Sequence, residues 1–319
     1  MQKINAKSFL KWAGGKGQLI NQLQEYYPND LYSGKINKYI EPFIGGGAIF
    51  FHIMQNFKIN SAYISDVNKD LILTYKVIQE KPEMLCNFLE QYQKDYDKTT
   101  QENRSNLYLS IRKQFNDQRF EINYNQFSDN WILRSAQLIF LNKTCFNGLY
   151  RLNSKGEFNV PYGKYPNPTI LDSQNIFSVS KLLQNVEIRN ANYSECFNET
   201  TSNSFVYFDP PYRPISKTAS FTTYTGTEFT DKEQIELANF YRKLDTEKQA
   251  KLMLSNSDPK NENPSDDFFE TIYKNYNIYR VNASRAINCN GEKRGKIKEL
   301  VITNYKINNL QHNFEDNEV

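Results

Sequence analysis

The chain has 319 residues, of which 39% are hydrophobic and 24% are charged, with a formal net charge of +3. This balance is typical of a folded globular protein and excludes a largely disordered chain. The last twelve residues, 308–319, hold three acids and no Lys or Arg, so residues 1–307 carry a net charge of +6. That charge is compatible with a polyanionic partner but does not require one.

Cysteine usage and hydropathy indicate the compartment. The four cysteines lie far apart without a CxxC pair, and the chain has only two histidines, so we expect no metal site. Such spacing favours reduced thiols inside a cell. The N-terminal segment lacks the apolar core of a signal peptide, and no apolar run approaches membrane-spanning length. We therefore expect a cytoplasmic protein with no membrane partner.

Short β-rich segments alternate with amphipathic helical patterns along much of the chain. Nearly continuous apolar strands separated by helices predict an α/β fold with a mostly parallel, doubly wound sheet. The predicted strands are 38–43, 61–66, 204–209, 250–257 and 299–305, and the predicted helices are 48–57, 68–79 and 231–244.

The alternation stops between about residues 75 and 185. Polar helical segments come first, and a stretch rich in Gly, Asn, Pro and Tyr follows, in which residues 150–160 predict a β-hairpin. The insertion is too long for a loop in a compact domain. We expect an α/β domain from residues 1–74 and 186–307, an inserted domain at 75–185, and a flexible acidic tail at 308–319.

Three glycines, Gly45 to Gly47, follow the first predicted strand, which ends at Phe43, and precede a helix. Glycines at this place let the backbone approach a ligand at the carboxyl edge of a parallel sheet. Phe50 stands where the dinucleotide fingerprint requires a further glycine, which disfavours a pyrophosphate cradle. The pattern leaves room for a nucleoside without a pyrophosphate.

Asp66 ends the second predicted strand and has two interpretations. A carboxylate at this strand end can accept hydrogen bonds from both hydroxyls of a ribose. Alternatively, Asp66 or Asn68 caps the helix that follows. The glycine turn upstream favours ribose binding.

The segment FLKWAGGKGQLI near the N terminus resembles a phosphate-binding loop only superficially, because the sequence Gly-x4-Gly-Lys-Ser/Thr does not occur. An aromatic wall, backbone groups and a cation could instead surround a bound zwitterion, supplied by Trp12, Ala13, Gly14 and Lys16. The alternative is the first turn of a helix with a core tryptophan.

The segment FVYFDPPYRP begins with strand character, and its prolines prevent further sheet pairing after Asp209. An exocyclic amine of a nucleobase attacks a methyl group poorly, because its lone pair is delocalised into the ring. The carboxylate of Asp209 and the carbonyl of Pro210 could each accept one N–H and favour a more tetrahedral nitrogen. Tyr212 offers a ring on which the base can stack. The motif therefore predicts methyl transfer to an amino nitrogen.

Five segments in order, FLKWAGGK, EPFIGGG, SDVNKDLI, FDPPY and FTTYTGTEFT, resemble the Dam-type (D12 class) DNA adenine-N6 methyltransferases. MLSNSD and SRAINCNGEKRGKIKELVITNY resemble the C-terminal part of that family, so the similarity spans residues 8–306. The resemblance implies a Rossmann-like, S-adenosylmethionine-dependent methyltransferase domain with an inserted target-recognition domain. It also implies that the target adenine is flipped out of duplex DNA, because N6 is inaccessible in the base stack.

Matching positions assign site residues by this resemblance. The implied cofactor contacts are Trp12, Ala13, Gly14, Lys16, Phe43, Gly45, Gly47, Asp66 and Asp209. The implied contacts to the adenine are Asp209, Pro210 and Tyr212.

The segment FNGLYRLNSKGEFNVPYGKY resembles the recognition hairpin of family members that methylate adenine in GATC. Arg151 can pair with O6 and N7 of a guanine, and Leu149 and Pro161 can contact a thymine methyl. The resemblance further implies a wedge at Phe146, where family members can carry Tyr. The other implied DNA contacts are Asn147 and, at the outer guanine, Lys11. The basic cluster after Gly291 is expected to contact backbone phosphates; it consists of Lys293, Arg294, Lys296 and Lys298. The alternatives are that Arg151 binds only phosphate and that the basic loop is solvated.

Together these observations predict a site-specific DNA adenine-N6 methyltransferase acting on GATC in a prokaryotic or phage-infected cell. It would work alone or beside a cognate restriction endonuclease that acts on the same DNA. A methylase of RNA or of a protein amide is disfavoured by the long insertion and by Asp, rather than Asn, at position 209. A DNA-binding module with vestigial catalysis is disfavoured by the intact motif at 209–212 and the complete glycine turn.

Overall fold

A computed structural model describes residues 5–213, 229–284 and 296–307. Its strands are β1 (Lys38–Glu41), β2 (Ser61–Asp66), β3 (Val186–Asn190), β4 (Ser204–Phe208), β5 (Lys251–Ser257), β6 (Asn277–Ser284) and β7 (Lys296–Thr303). Its α-helices are α1 (Ile20–Leu23), α2 (Asn29–Tyr32), α3 (Ala48–Asn56), α4 (Lys69–Glu80), α5 (Pro82–Lys98), α6 (Arg104–Asp117), α7 (Asp129–Thr144), α8 (Ser173–Leu183), α9 (Asp231–Lys243) and α10 (Phe268–Ile272).

The seven strands form one sheet in the order β3-β2-β1-β4-β5-β7-β6. Strands β1 to β5 pair in parallel, whereas β7 runs antiparallel to both β5 and β6. The strand order reverses between β1 and β4, and a ligand crevice is expected outside the carboxyl ends of strands at such a switch point. The mostly parallel, doubly wound α/β fold expected from the sequence is confirmed.

Both faces of the sheet carry a core, because neighbouring side chains of a strand point to opposite faces. Tyr39 and Phe205 belong to one buried apolar cluster, and Ile40 and Val206 to the other. Burial on both faces explains why β1 and β4 have nearly continuous apolar sequences.

Several helices begin at capping residues that the sequence supplies. The side chain of Asn68 accepts a hydrogen bond at the start of α4, and that of Asp172 does so at the start of α8. Thr230 and Glu233 form a capping box at the start of α9, and Pro82 is the first residue of α5. These caps fix the helices between the strands.

All five predicted strands and the three predicted helices are present, with ends shifted by at most three residues. Two strands were not predicted, β3 and β6, and they form the two edges of the sheet. Edge strands carry more polar residues than central ones, as VEIRN and NIYRVNAS do, so their apolar signal is weak.

Helices α4 to α8 lie between β2 and β3 in the chain, and α7 packs against α4, α5 and α6. Helix α4 is continuous across residues 74 and 75, where the sequence suggested a boundary. At the expected hairpin, Gly156 N–H donates to Asn153 O at 2.9 Å, and an isolated bridge joins Leu152 to Phe158. The turn is thus present, but its arms are not regular strands. No helix in the described ranges is long and apolar enough to cross a membrane.

Candidate active site

The glycine turn after β1 is held from several sides. Gly45 N–H donates to Asp66 Oδ2 at 3.2 Å, and Tyr75 OH donates to Gly45 O at 3.1 Å. The ring of Trp12 packs so closely that a Cβ on Gly45 would lie 2.9 Å from its Cδ1. Gly47 has a φ of 71°, in the left-handed region that favours glycine. The turn therefore brings Trp12, Gly45 and Asp66 together at the carboxyl ends of β1 and β2.

Asp66 holds the turn rather than capping α4. The cap is Asn68, whose Oδ1 accepts from Leu71 N–H at 3.0 Å. Asp66 Oδ1 instead accepts from Asn68 N–H at 2.9 Å. Burial raises the pKa of Asp66 to about 6, although the N–H groups of Asn68 and Gly45 act in the opposite direction. Capping by Asp66 is thus excluded, and ribose binding by this carboxylate stays a prediction.

Lys16, the first residue of a short 3-10 helix, is only 3% exposed. Its Nζ donates to Asp209 Oδ1 at 2.5 Å, to Tyr212 OH at 2.9 Å and to Gly14 O at 3.1 Å. Burial by itself lowers the pKa of Lys16, but the negative charge of Asp209 raises it above its ordinary value. The side chain therefore stays charged and ties the N-terminal segment to the residues after β4.

Asp209 follows β4 directly, and burial raises its pKa. Ser255 Oγ donates to Asp209 Oδ1 at 3.3 Å. Sequence analysis missed Ser255, because it lies inside a strand and only the register of β5 against β4 brings it beside Asp209. Phe208 of β4 pairs with Leu254 of β5, so Ser255 and Asp209 come next to each other at the sheet edge. The carboxylate is therefore supported by the neighbouring parallel strand.

The two prolines after Asp209 differ in their contacts. Gln234 Nε2 donates to Pro211 O at 3.1 Å. Among the described residues no donor reaches the carbonyl oxygen of Pro210. An acceptor is therefore available beside Asp209, in a backbone whose φ angles the prolines restrict.

Arg213, which sequence analysis left unexplained, fixes the end of this motif. Its guanidinium donates to both carboxylate oxygens of Asp231, at 2.5 and 2.9 Å, and to Asp266 at 2.7 Å. It also lies over the ring of Phe268, 4.1 Å from the centroid. Residues 209–213 are thus anchored to the N-terminal 3-10 helix by Lys16 and to α9 by Arg213.

Lys11 lies against the segment expected to read DNA. The buried side chain of Asn142 accepts from Lys11 N–H at 2.8 Å and donates to Lys11 O and Gly148 O, at 2.9 and 2.8 Å. A Cβ on Gly148 would overlap the Lys11 side chain. Phe146 N–H donates to Pro161 O at 2.9 Å and closes the base of the segment. Asn142 is a positioning residue that the sequence alone did not identify, because Asn inside a helix carries no clear signal.

The residues expected to read bases lie at the surface of this segment. The ring of Phe146 is 52% exposed, and Arg151 donates from Nε to Asn159 Oδ1 at 2.7 Å. Asn147 has a φ of 56°, which turns the chain between Phe146 and Leu149. Of the remaining members, Pro161 is exposed and Leu149 is half-buried.

A buried cluster that sequence analysis missed connects this segment to α4. Asp70 accepts two hydrogen bonds from Arg134, at 2.5 and 2.9 Å, and one each from Tyr124 OH at 2.7 Å and Tyr150 OH at 3.1 Å. The ring of Tyr150 stacks on Trp12 with centroids 5.4 Å apart. Tyr150 therefore links Trp12, which packs on the glycine turn, to Asp70 of α4.

The expected residues thus form two adjoining groups. The first surrounds the carboxyl ends of β1, β2 and β4, with Ala13 and Gly14 exposed beside it and Phe43 stacked on Tyr193 at 5.4 Å. The second surrounds Lys11 and residues 146–161. Lys293 and Arg294 lie outside the described residues, as do residues 221–228 of the segment FTTYTGTEFT and the tail at 308–319. Over the ranges that the structure describes, no group of three or more His, Cys, Asp or Glu could hold a metal ion.

Comparison with known proteins identifies similar chains over most of this length. Residues 12–287 match the family model described as D12 class N6 adenine-specific DNA methyltransferase. The Type II methyltransferase M.MjaIII of Methanocaldococcus jannaschii is 48% identical over 95% of this chain and 100% of its own length. M1.LlaDCHI, a Type II methyltransferase of Lactococcus lactis, is 38% identical over 95% and 97%. A DNA adenine methylase of Vibrio cholerae is 33% identical over 92% and 95%.

Proposed function

Because the chain belongs to the D12 class of N6 adenine-specific DNA methyltransferases, we propose that it methylates adenine N6 within GATC. The substrate is double-stranded DNA in the cytoplasm, and the methyl donor is S-adenosylmethionine. The observation that carries this proposal is that the motif at 209–212 follows β4 and the glycine turn follows β1, its parallel neighbour, with Lys16 bound to Asp209 and Asp66 bound to Gly45. The proposed amine acceptor and the proposed cofactor-binding turn therefore follow neighbouring parallel strands at one sheet edge.

The residues at the ends of β1 and β2 fit such a cofactor. A Cβ on Gly45 would meet Trp12, so the glycine permits a close approach of backbone and aromatic ring. Asp66 offers carboxylate oxygens to the ribose hydroxyls, and Lys16 provides positive charge near the amino-acid carboxylate. Phe43 and the backbone of residues 13, 14 and 47 complete the proposed set. When bound, S-adenosylmethionine supplies an electrophilic methyl group.

Asp209 and Pro210 hold the target amine. The Asp209 carboxylate accepts one N–H and the Pro210 carbonyl accepts the other, which favours a tetrahedral nitrogen with an available lone pair. Positive charge develops on that nitrogen during methyl transfer, and a partly buried carboxylate stabilises it more strongly than water does. Tyr212 provides the face on which the flipped base stacks.

The segment around Arg151 reads the sequence beside the flipped base. Arg151 binds a guanine through O6 and N7, and Leu149 and Pro161 contact a thymine methyl. Phe146, whose ring is half exposed, enters the stack that the adenine has left. Asn147 and Lys11 complete the DNA contacts among the described residues, and Lys293 and Arg294 bind backbone phosphates. Residues 75–185 act as the target-recognition domain on a catalytic domain of residues 1–74 and 186–307.

A restriction digest tests this function. The chain is expressed in a host that lacks adenine methylation, and the DNA is cut with an enzyme that adenine methylation of GATC blocks. We expect resistance to that enzyme and sensitivity to one that cuts GATC regardless of methylation. Full sensitivity to the blocked enzyme, with the protein folded and expressed, would contradict the GATC assignment. If the DNA is resistant, a cognate restriction endonuclease can be sought as an activity that cuts unmethylated DNA at GATC.

The substitution Asp209→Ala tests the chemistry. Removing the carboxylate that accepts the amine N–H should lower the single-turnover methylation rate by at least about a hundredfold. The matched control is Asp117→Ala, because Asp117 is an exposed carboxylate on α6 whose salt bridge in the described ranges is with Lys113, one helical turn away. Retained turnover in Asp209→Ala on duplex DNA would overturn the assigned function of Asp209.

A further inference from the structure

Lys16 lies between two carboxylates, and only one of them has been assigned a function. Its Nζ is 2.5 Å from Asp209 Oδ1 and 3.9 Å from Glu299 Oε2. Glu299 belongs to β7 and is only 7% exposed. Its buried Oε2 makes no hydrogen bond in the described ranges, although the nearby hydroxyl of Tyr212 opposes the rise that burial causes in the pKa of Glu299. A buried carboxylate oxygen without a partner is unfavourable and requires a reason.

We propose that Glu299 is a positioning residue that receives the Lys16 ammonium when the target amine binds Asp209. This inference rests on the proposed function, since it concerns how Asp209 becomes available to the amine. Glu299 itself does not contact the base.

The need for such a second partner follows from the charges. All three N–H donors of Lys16 are used, by Asp209, Tyr212 and Gly14. A carboxylate already paired with an ammonium at 2.5 Å is a weak acceptor for another N–H. The same ammonium also repels the positive charge that develops on the amine nitrogen during methyl transfer. Withdrawing Lys16 from Asp209 therefore favours both the contact and the reaction.

A buried ammonium can withdraw only toward another anion, because an unpaired buried charge is strongly unfavourable. Moving from 3.9 Å to a charge-assisted hydrogen bond of about 2.8 Å would pair Lys16 with Glu299. Within the described ranges, Asp209 and Glu299 are the carboxylates that pair with Lys16.

The other buried acid at this edge, Glu41, is a poor substitute. It already accepts a hydrogen bond from Tyr39 OH at 2.7 Å. Burial raises the pKa of both acids, but that of Glu41 lies well above its usual range, whereas the charge of Lys16 opposes the rise at Glu299. Glu299 therefore lies within reach of the Lys16 ammonium and has an acceptor oxygen without a hydrogen bond.

The first test measures amine binding without cofactor. The Kd for a GATC duplex is compared with the Kd for the same duplex carrying purine, which lacks the amino group, at the target position. The ratio of these two Kd values is compared between the wild-type protein and each variant, so the cost of unpairing each base cancels. Glu299→Gln should reduce the preference for adenine about fivefold or more and lower the single-turnover methylation rate about tenfold. Glu299→Asp keeps the charge but reaches less far, so it should give intermediate values.

The second test is a double-mutant cycle with Lys16→Met. If Glu299 acts through Lys16, Glu299→Gln should cause no further loss in the Lys16→Met background. Equal losses in both backgrounds would overturn the proposal, as would a wild-type rate and base preference in Glu299→Gln. If thermal melting shows that Glu299→Gln is unfolded, Glu299→Asp decides, and wild-type values in it overturn the proposal. Failure of the wild-type protein to methylate would instead contradict the proposed function.

Discussion

At the scale of single residues, Asp66 fixes the fold with the same two oxygens that we propose accept hydrogen bonds from the ribose. Its Oδ1 accepts from Asn68 N–H and its Oδ2 from Gly45 N–H, so it fixes the glycine turn against β2. Burial nevertheless raises its pKa to about 6. Ribose hydroxyls donate to the charged form, so cofactor binding is expected to favour the ionised carboxylate.

This argument predicts a pH dependence of cofactor affinity. Asp66 is ionised above its pKa of about 6 and becomes protonated as the pH falls through that value. If the ionised form binds the cofactor, S-adenosylmethionine should bind about tenfold more weakly at pH 5 than at pH 7. Isothermal titration calorimetry between pH 5 and 8 measures the effect.

The control for this prediction is Asp66→Asn. Asn cannot titrate, so the variant should bind more weakly at pH 8 and lose the step near pH 6. Asp209, whose pKa burial also raises, remains in the variant and supplies any residual pH dependence. An unchanged step near pH 6 in Asp66→Asn would show that a different group titrates.

At the scale of elements, the segment from Phe146 to Pro161 is rigid where it meets the rest of the protein and exposed where DNA is proposed to bind. Tyr150 is buried between Trp12 and Asp70, whereas its neighbour Arg151 is exposed. A buried anchor beside an exposed guanidinium presents the guanidinium in a defined direction. Such preorganisation is needed for bidentate recognition of a base edge.

Arg151→Ala tests this geometry. The change should cost about 1–3 kcal/mol of discrimination at one guanine, because a bidentate pair with O6 and N7 is lost. Competition between GATC duplexes with single-base changes measures it. Lys155→Ala is the matched control, since Lys155 is an exposed cation at the turn of the same hairpin. If Arg151→Ala weakened binding to all sequences equally, as is expected for Lys155→Ala, Arg151 would be only a phosphate contact.

At the scale of the whole molecule, the sequence predicted the features that depend on local order along the chain. The glycine turn, Asp66 and Asp209 each end an apolar strand, and parallel strands bring such ends to one edge. Glu299 and Ser255 could not be placed in this way. The position of Glu299 depends on β7 running antiparallel between β5 and β6, an arrangement that short strand sequences do not specify.

The cluster around Asp70 was equally hidden from sequence analysis. Asp70 and Arg134 lie on different helices, 64 residues apart, and neither position carries a motif. Their pairing becomes evident only when α7 packs against α4. The same contact bears on the domain division, because α4 begins directly after β2 and continues past residue 75. Helix α4 therefore belongs both to the part that follows β2 and to the proposed insertion.

We expect the inserted region to unfold together with the sheet rather than separately. The buried Asp70–Arg134 pair joins α4 to α7, and breaking such a pair on one side costs about 3 kcal/mol or more. The chain has two tryptophans, so in Trp12→Phe the buried Trp131 of α7 becomes the sole tryptophan reporter of the insertion. Its fluorescence and the circular dichroism of the whole chain should give the same midpoint in urea.

Arg134→Met in the same background supplies the perturbation for this measurement. It leaves Asp70 buried without its cation, so both midpoints should fall, and they should fall together. A Trp131 transition that occurs at lower urea than the loss of circular dichroism would show that residues 75–185 form a separately unfolding unit. Helix α4 would then connect two units that unfold at different urea concentrations. Coincident transitions would instead mean that the proposed reading segment is held by the stability of the whole sheet.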